Sequence, residues 1–416
     1  MTEEIKQRID ILKAGKVPDG YKRTAAGIVP REWREKCLSD LLKFQNGVNA
    51  DKEKFNSGVK MISVMDILDE RPIVYDEIRG QVDIDEKALN NYSVTYGDIL
   101  FQRSSETVED AGKSNVYLDQ DRTATYSGFV IRGKKISDYD PVYLNELLKT
   151  SGVRQQIIRY AAGSQHINVS QDSLSRVRIC LANKHEQKRI AAVLAKWSKA
   201  IKLQEQLIDK LELHKKALMQ KVLIPKKSWK LVPLKKIIKE RKKYSEIGRE
   251  FTHVTLSKQG VCDKTDQYNR DFLVTSDDKR YKITHLNDLC YNPANLKFGV
   301  ICLNKYGDAI FSPIYVTFEI SNSYNPDFIG AVLTSPNFIN RIRRFEEGSL
   351  YERQAVKPAD FVKDSIFVPL RNEQDRIANV IVKLDTNIDL ENQKLEKFKK
   401  QQKAMQQLLL TGIVRV

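Results

Sequence analysis

The chain repeats itself at an offset of 187 residues, and the repeated part has the pattern of a long amphipathic helix. His185-Glu186-Gln187-Lys188-Arg189-Ile190-Ala191-Ala192-Val193 returns as Asn372-Glu373-Gln374-Asp375-Arg376-Ile377-Ala378-Asn379-Val380. Carried without a gap from residue 185 to 224, the offset gives 15 identities in 40 positions. Self-similarity of this kind constrains the fold before any local prediction does. In the first copy Ile190, Leu194, Trp197, Ile201, Ile208, Leu211, Leu218 and Val222 advance by steps of about 3.5 residues, with polar interruptions at Gln204 and Lys215. In the second, Ile377, Ile381, Leu384, Ile388, Leu395, Phe398, Met405 and Leu409 do the same, interrupted at Glu391 and Gln402. A seam sustained at that period is a coiled coil, and polar residues within it fix register and partner. Neither copy holds Gly or Pro between 186 and 222 or between 373 and 409. Each therefore reads as one helix, roughly 55 Å long at about 1.5 Å per residue.

The segments ahead of each helix also match. Gln156-Ile157-Ile158-Arg159-Tyr160 and Gly163-Ser164 correspond to Arg341-Ile342-Arg343-Arg344-Phe345 and Gly348-Ser349, and the apolar runs 177–181 and 365–369 lead into the helices. Asp98-Ile99-Leu100-Phe101 parallels Asp288-Leu289-Cys290-Tyr291, and Ser127-Gly128-Phe129-Val130 parallels Ser312-Pro313-Ile314-Tyr315-Val316. Trp33 and Trp229 each stand five residues before a leucine. The expected fold is mixed α/β, with short β-rich runs and helices near 141–160 and 326–345. We divide the chain into an N-terminal helical segment (1–23), a globule (24–184), a helix (185–225), a second globule (226–371) and a second helix (372–416). Two such helices paired antiparallel would relate the globules by a pseudo-twofold axis, as a symmetric dimer matches two DNA half-sites at fixed separation. Because the globules differ in sequence, two different half-sites would be read.

Composition narrows the class. Of 416 residues, 41% are hydrophobic and 30% charged, and no run of eighteen apolar residues exists to cross a membrane. The N-terminal stretch MTEEIKQRIDILKAG lacks the apolar core of a signal peptide. Cys37, Cys180, Cys262, Cys290 and Cys302 are odd in number and contain no CxxC pair, which fits a reducing cytoplasm and disfavours disulfides or zinc. The net charge is +16, and Lys184–Lys243 alone carries +14. Such a run can be simply a solvated helix face. A basic belt between two near-neutral bodies nevertheless fits contact with a phosphate backbone.

Taken in order, these features resemble the specificity subunit of type I restriction-modification enzymes along nearly the whole chain. The residues that carry the resemblance are the two Glu-Gln-x-Arg-Ile-Ala motifs at Glu186 and Glu373, the stretch Gly97-Asp98-Ile99-Leu100-Phe101-Gln102-Arg103-Ser104-Ser105, and Gly163-Ser164. The opening from Val17-Pro18-Asp19-Gly20-Tyr21 to Trp33 and the terminal 408–416 belong to the same pattern. The resemblance implies a cytoplasmic, non-catalytic DNA-binding adaptor acting on DNA in a prokaryote. Two target recognition domains would read a two-part sequence in double-stranded DNA, and the paired helices would fix the gap and recruit two methyltransferase subunits. Restriction subunits, two at most, would join them. S-adenosylmethionine, ATP and Mg2+ would sit on those partners, none on this chain. One departure is Ile224-Pro225-Lys226-Lys227 after the first helix, where the second copy has Thr411-Gly412-Ile413.

Candidates for chemistry in the chain itself fail individually. Ala111-Gly112-Lys113-Ser114 looks like the end of a phosphate-binding loop, but Thr107 stands where the first Gly is required. Asn325-Pro326-Asp327-Phe328 is similar to the Asn-Pro-Pro-Phe of adenine methyltransferases with Asp327 for a Pro, and reads better as the first turn of a helix. Glu186-Gln187-Lys188 has a nuclease-like ExK form, yet opens a repeated helix. His166, His185, His214, His253 and His285 have no metal-ligand spacing, and no metal site is expected.

Base readout needs paired donors and acceptors on rigid supports. In the first globule the best stretch is Gln102, Arg103, Ser104, Ser105, Glu106 and Thr107, with Lys113, Ser114 and Asn115 beyond it. In the second, Asn292, Asn295 and Lys297 follow the equivalent strand. Lys258, Gln259, Lys264 and Gln267 form a further polar loop, and Lys196, Lys199 and Lys202 could meet either phosphate or a methyltransferase. The alternative class is a stand-alone two-headed DNA-binding or scaffolding protein with a coiled-coil dimerisation stalk. A fused restriction enzyme would need a catalytic domain for which the chain has no room.

Overall fold

Asp98 and Asp288 begin the best-matched strands of the repeat, and the computed structural model builds the same sheet around each. It describes residues 2–49, 52–69, 71–245, 251–258, 260–263, 280–347 and 354–416. The chain gathers into two units, one made of Met1–Glu205 with Lys394–Val416 and the other of Gln206–Gln393.

In the first unit the sheet order is Leu42–Asn46, Val130–Lys135, Ile99–Gln102, Ser114–Val116, all antiparallel. In the second it is Ile238–Glu240, Val316–Ile320, Leu289–Tyr291, Ile301–Leu303, again antiparallel. The alternation of strand side chains explains why the central strand is apolar on both faces. Ile99 and Phe101 join the main core under the helices, whereas Leu100 joins a smaller cluster with Tyr117 and Tyr126. Leu289 and Tyr291 face the second main core, and Cys290 the smaller cluster with Val254 and Phe311. Each strand starts from the same turn. Asp98 Oδ2 accepts from Thr95 N at 3.0 Å, and Asp288 Oδ2 from His285 N at 2.8 Å. The residue before each Asp is left-handed, Gly97 at φ +87° and Asn287 at φ +67°, conformations that these two residue types adopt most readily.

A second sheet lies beside each first one. In the first unit Thr125–Tyr126 runs parallel to Phe55–Ile62, which also pairs with Gly80–Val82. In the second, Ala309–Phe311 runs parallel to Thr252–Ser257, and Tyr281–Thr284 with Tyr244–Ser245 enlarges the sheet. The helices 141–148 and 151–160 reappear as 326–333 and 336–342. Asn325 caps the former of the second pair, its Oδ1 accepting from Phe328 N at 3.1 Å with Pro326 in the first turn, as Asp140 does through Tyr143 N at 3.0 Å. The methyltransferase-like tetrapeptide is thus a helix start.

The long helices are Lys184–Val222 and Arg371–Leu410, 39 and 40 residues without interruption. Within the first unit Trp197 meets Phe398 edge-to-face at 6.1 Å, and Ile190 shares a buried cluster with Leu409 and Leu410, so the helices pack antiparallel. Within the second, Lys215 pairs with Asp385 while Leu223 packs into the cluster of Ile377 and Ala378, again antiparallel. Of the seam, Ile190, Leu194, Ile381 and Ile388 are buried, and Trp197, Ile201, Leu211, Ile377, Leu384 and Phe398 half-buried. The boundary between units crosses each helix midway, because each helical half shares the core of the globule it packs on.

Gln187 and Gln374 fasten the helix starts identically. Gln187 Nε2 donates to Ala182 O at 2.8 Å and its Oε1 accepts from Asp140 N at 3.0 Å. Gln374 Nε2 donates to Pro369 O at 3.0 Å and its Oε1 accepts from Asn325 N at 2.9 Å. Glu186 accepts from Trp33 Nε1 at 3.2 Å and from the Arg415 guanidinium. In the second unit Lys226 bonds Glu373 at 2.6 Å. The departure at 224–227 therefore supplies a cation to the second Glu, Lys226, in the place of the Arg415 that the C-terminal tail supplies to the first. Glu186 of the ExK form is an ion-pair anchor.

Candidate nucleic-acid interface

Strand pairing brings three loops to one end of each four-stranded sheet. In the first unit, Ile131 pairs with Asn46 and Val130 with Gln102, so residues 47–49, 103–113 and 127–129 emerge together. In the second, Glu240 pairs with Phe318 and Val316 with Tyr291, so residues 241–243, 292–300 and 312–315 do the same. The candidate residues from the sequence lie on or beside these loops, and the structure sorts them into buried supports and exposed groups.

Four residues of the candidate stretch are corrected. Asn115 has no exposed surface, and its Nδ2 donates to the carbonyls of Arg71 at 2.7 Å and Asp69 at 2.9 Å. Gln102 is buried, its Nε2 donating to Ser104 O at 2.9 Å. Ser105 is buried with Oγ donating to Thr107 O at 2.6 Å. Through these bonds the side chains hold the loop, although Gln102 Oε1 is left without a partner. Ser114 is also buried. Arg103 and Ser104 are half-buried, and the Arg103 guanidinium donates to Gly128 O at 3.3 Å. Thr107 is exposed with Glu106, Val108 and Glu109, and the exposed Lys113 pairs with Asp110 at 2.5 Å.

Arg154 supports the loop from below by donating to the carbonyls of Ala111, Gly112 and Glu109 at 2.7, 2.8 and 2.9 Å. Burial pulls its guanidinium pKa down, with Asp110 acting in the opposite sense. A Cβ on Gly112 would meet Ile157 Cγ2 at 2.5 Å. The Ala111-Gly112-Lys113-Ser114 segment is therefore packed on the core with its carbonyls engaged, unlike a phosphate cradle.

In the second unit Asn292 is half-buried, and its Oδ1 accepts from Ala294 N at 3.1 Å and Asn295 N at 3.3 Å, shaping the turn. Asn295 is half-buried at the start of the 3-10 turn Leu296–Phe298. Lys297 is exposed, its Nζ 5.3 Å from the centre of the exposed Phe298 ring. Lys258 is exposed, whereas Gln259, Lys264, Gln267 and Gly348-Ser349 lie outside the described residues. Lys196, Lys199 and Lys202 are exposed on the first long helix.

Lys242 and Lys243 are exposed at the same sheet end and were not singled out from sequence. The signal was present, since they close the basic run, but only the pairing of Ile238–Glu240 carries that run to the loops. Arg241, beside them, is turned inward to Asp288 with bonds of 2.8 and 3.0 Å. Among the described residues no group of three His, Cys, Asp or Glu side chains is placed to hold a metal ion. His285 Nδ1 instead bonds Asp308 Oδ1 at 2.9 Å, and His253 stands edge-on to Tyr281 at 4.5 Å. Among them also, no helix is long and apolar enough to cross a membrane.

Residues 30–213 match the family described as the type I restriction modification DNA specificity domain. A protein of Methanocaldococcus jannaschii described as the MjaX type I restriction enzyme specificity subunit is 24% identical over 424 aligned positions, covering 96% of this chain and 97% of that one. The crystal structure of the type I restriction-modification system S subunit from M. genitalium superimposes with a TM-score of 0.52 at 12% identity, covering 91% of this chain and 96% of that one. A chain from a structural study of assembly and conformational transition in a type I restriction-modification system gives 0.57 at 10% identity, covering 93% and 99%. From residue 30 to 213 the chain carries the sequence of a type I DNA specificity domain, and along nearly its full length it is similar to type I restriction-modification specificity subunits.

Proposed function

We propose that this chain is the DNA-recognition subunit of a type I restriction-modification enzyme, each unit reading one part of a two-part sequence. The observation that carries this reading is the pair of four-stranded sheets with the same strand order and different loops at the same end. A shared frame with divergent loops suits two readers of different sequence, since base specificity resides in a few side chains on rigid supports. The exposed lysines near those loops and along the first helix supply attraction to phosphate, which is independent of sequence and weakens with salt.

Under this reading the chain has no catalysis of its own. S-adenosylmethionine belongs to methyltransferase subunits, two per complex, and ATP with Mg2+ to restriction subunits. The two long helices set the gap between half-sites and offer the methyltransferases their docking faces. The test is genome-wide adenine methylation by long-read sequencing, with and without the gene. Loss of one two-part motif of fixed gap supports the reading. Retention of every motif while the methyltransferase is expressed overturns it in favour of a stand-alone binder or scaffold.

A further inference from the structure

The loop that precedes the last strand of each sheet carries a bulky, exposed apolar side chain. Ser127-Gly128-Phe129-Val130 closes with Val130 N donating to Ser127 O at 2.9 Å, and Ser312-Pro313-Ile314-Tyr315 with Tyr315 N donating to Ser312 O at 3.1 Å. Phe129 and Ile314 thus occupy the same third position of a four-residue turn. Neither residue has a positive φ, and a third turn position of that kind accepts most residue types, so the turn itself does not call for a large apolar side chain. Phe129 is 68% exposed, more than any other aromatic among the described residues, and Ile314 is 61% exposed. Single apolar residues at a surface are ordinary. Here an exposed bulky apolar side chain recurs at one topological point in two sequences that otherwise differ.

The turn is also rigidly supported. Arg103 N donates to Phe129 O at 2.9 Å and the Arg103 guanidinium donates to Gly128 O. Residues 47–49 lie directly beneath: a Cβ on Gly47 would fall 2.2 Å from Ser127 O, and one on Gly128 1.8 Å from Asn49 Oδ1. In the second unit Pro313 fixes the second turn position, the one that proline suits. Both side chains emerge at the sheet end that holds the exposed Thr107 and Lys113 in one unit and Lys242, Lys243 and Lys297 in the other. A rigid apolar tip beside cations fits the groove of a nucleic acid, where phosphates meet the cations and base edges meet the tip.

Resting on the function proposed above, we infer that Phe129 and Ile314 are specificity residues, each an apolar probe that contacts a thymine 5-methyl group in its own half-site. The thymine methyl is the one apolar group that a base pair shows in the major groove. Burying it against a ring or a branched aliphatic side chain removes apolar surface of both partners from water.

The experiment uses the assembled complex of this chain with its methyltransferase, and duplexes carrying the motif found by methylation sequencing. Phe129→Ala is expected to lower affinity for that duplex about tenfold, the scale of one lost base contact, and to relax the methylated motif in one half-site only. Ile314→Ala is expected to relax only the other. Phe129→Leu restores most of the selectivity. Replacing dT by dU in the first half-site weakens the wild type by a similar factor and leaves Phe129→Ala unmoved. Binding to a scrambled duplex at low salt stays the same in all variants. The inference is overturned if both alanine variants bind within twofold of wild type and methylate the same motif. It is equally overturned if they weaken cognate and scrambled duplexes alike. A wild-type complex with no sequence preference removes the underlying function as well, and that failure appears before any substitution is made.

Discussion

Asn115 and Thr107 sit within one loop system and separate stability from recognition. Asn115 is sealed from water and satisfies the carbonyls of Asp69 and Arg71, so Asn115→Ala leaves a gap in the core and takes the donor from those part-buried acceptors. The expected cost is about 1–3 kcal/mol, seen as an earlier unfolding midpoint in denaturant. Thr107→Ala and Lys113→Ala alter exposed groups and should leave that midpoint in place. They should instead weaken cognate DNA binding in an anisotropy titration, Lys113→Ala with a shallower salt dependence if its charge leaves Asp110 for a phosphate. A polar residue after a strand looks the same in a sequence whether it faces solvent or backbone carbonyls. That is why Asn115, Gln102 and Ser105 read as contacts and prove to be supports.

The two Glu anchors of the long helices have one role and unequal weight. Glu186 is almost fully buried and holds both Trp33 and Arg415, whose side chain is 36% exposed. Glu186→Ala leaves the Trp33 indole N–H without its acceptor and the Arg415 guanidinium with Glu32 alone. A cost of about 2–4 kcal/mol is expected, below that of a fully buried pair because water reaches the arginine. Glu373 meets Lys226, which is 65% exposed, so Glu373→Ala should cost under about 1 kcal/mol. Unfolding of both variants in denaturant checks the contrast. The bond to Lys226 holds the Glu373 carboxyl below its usual pKa. Its small stabilisation is therefore complete above the ordinary carboxylate range and fades as the pH falls through the lowered value. Periodicity makes such helices legible, since the 3.5-residue seam and the absence of Gly and Pro mark them residue by residue. The central strands were legible for a related reason, their short apolar runs after Asp98 and Asp288. Strand order was not, because Leu42–Asn46 beside Val130–Lys135 joins segments some ninety residues apart and no local signal encodes that pairing.

Across the whole molecule, each long helix continues unbroken from residues of one unit into residues of the other. If these helices set the gap between half-sites, their length is the variable to change. Deleting 201–207 from the first and 388–394 from the second removes one seam repeat from each, and Trp197 is then followed four positions later by Ile208, as it was by Ile201. The antiparallel match is kept while each helix shortens by about 10 Å. That length corresponds to about three base-pair steps of about 3.4 Å. The expected methylated motif keeps both half-sites and has a shorter gap. Its methylation should also slow, because about three fewer base pairs turn one half-site by roughly 100° on a duplex of about 10.5 base pairs per turn, whereas a whole seam repeat hardly rotates the coil. The same deletion in one helix alone leaves the pair unequal and should abolish methylation. A double deletion that methylates the original gap at the original rate would mean that the loops find their sites without a ruler, and the helices would then serve assembly alone.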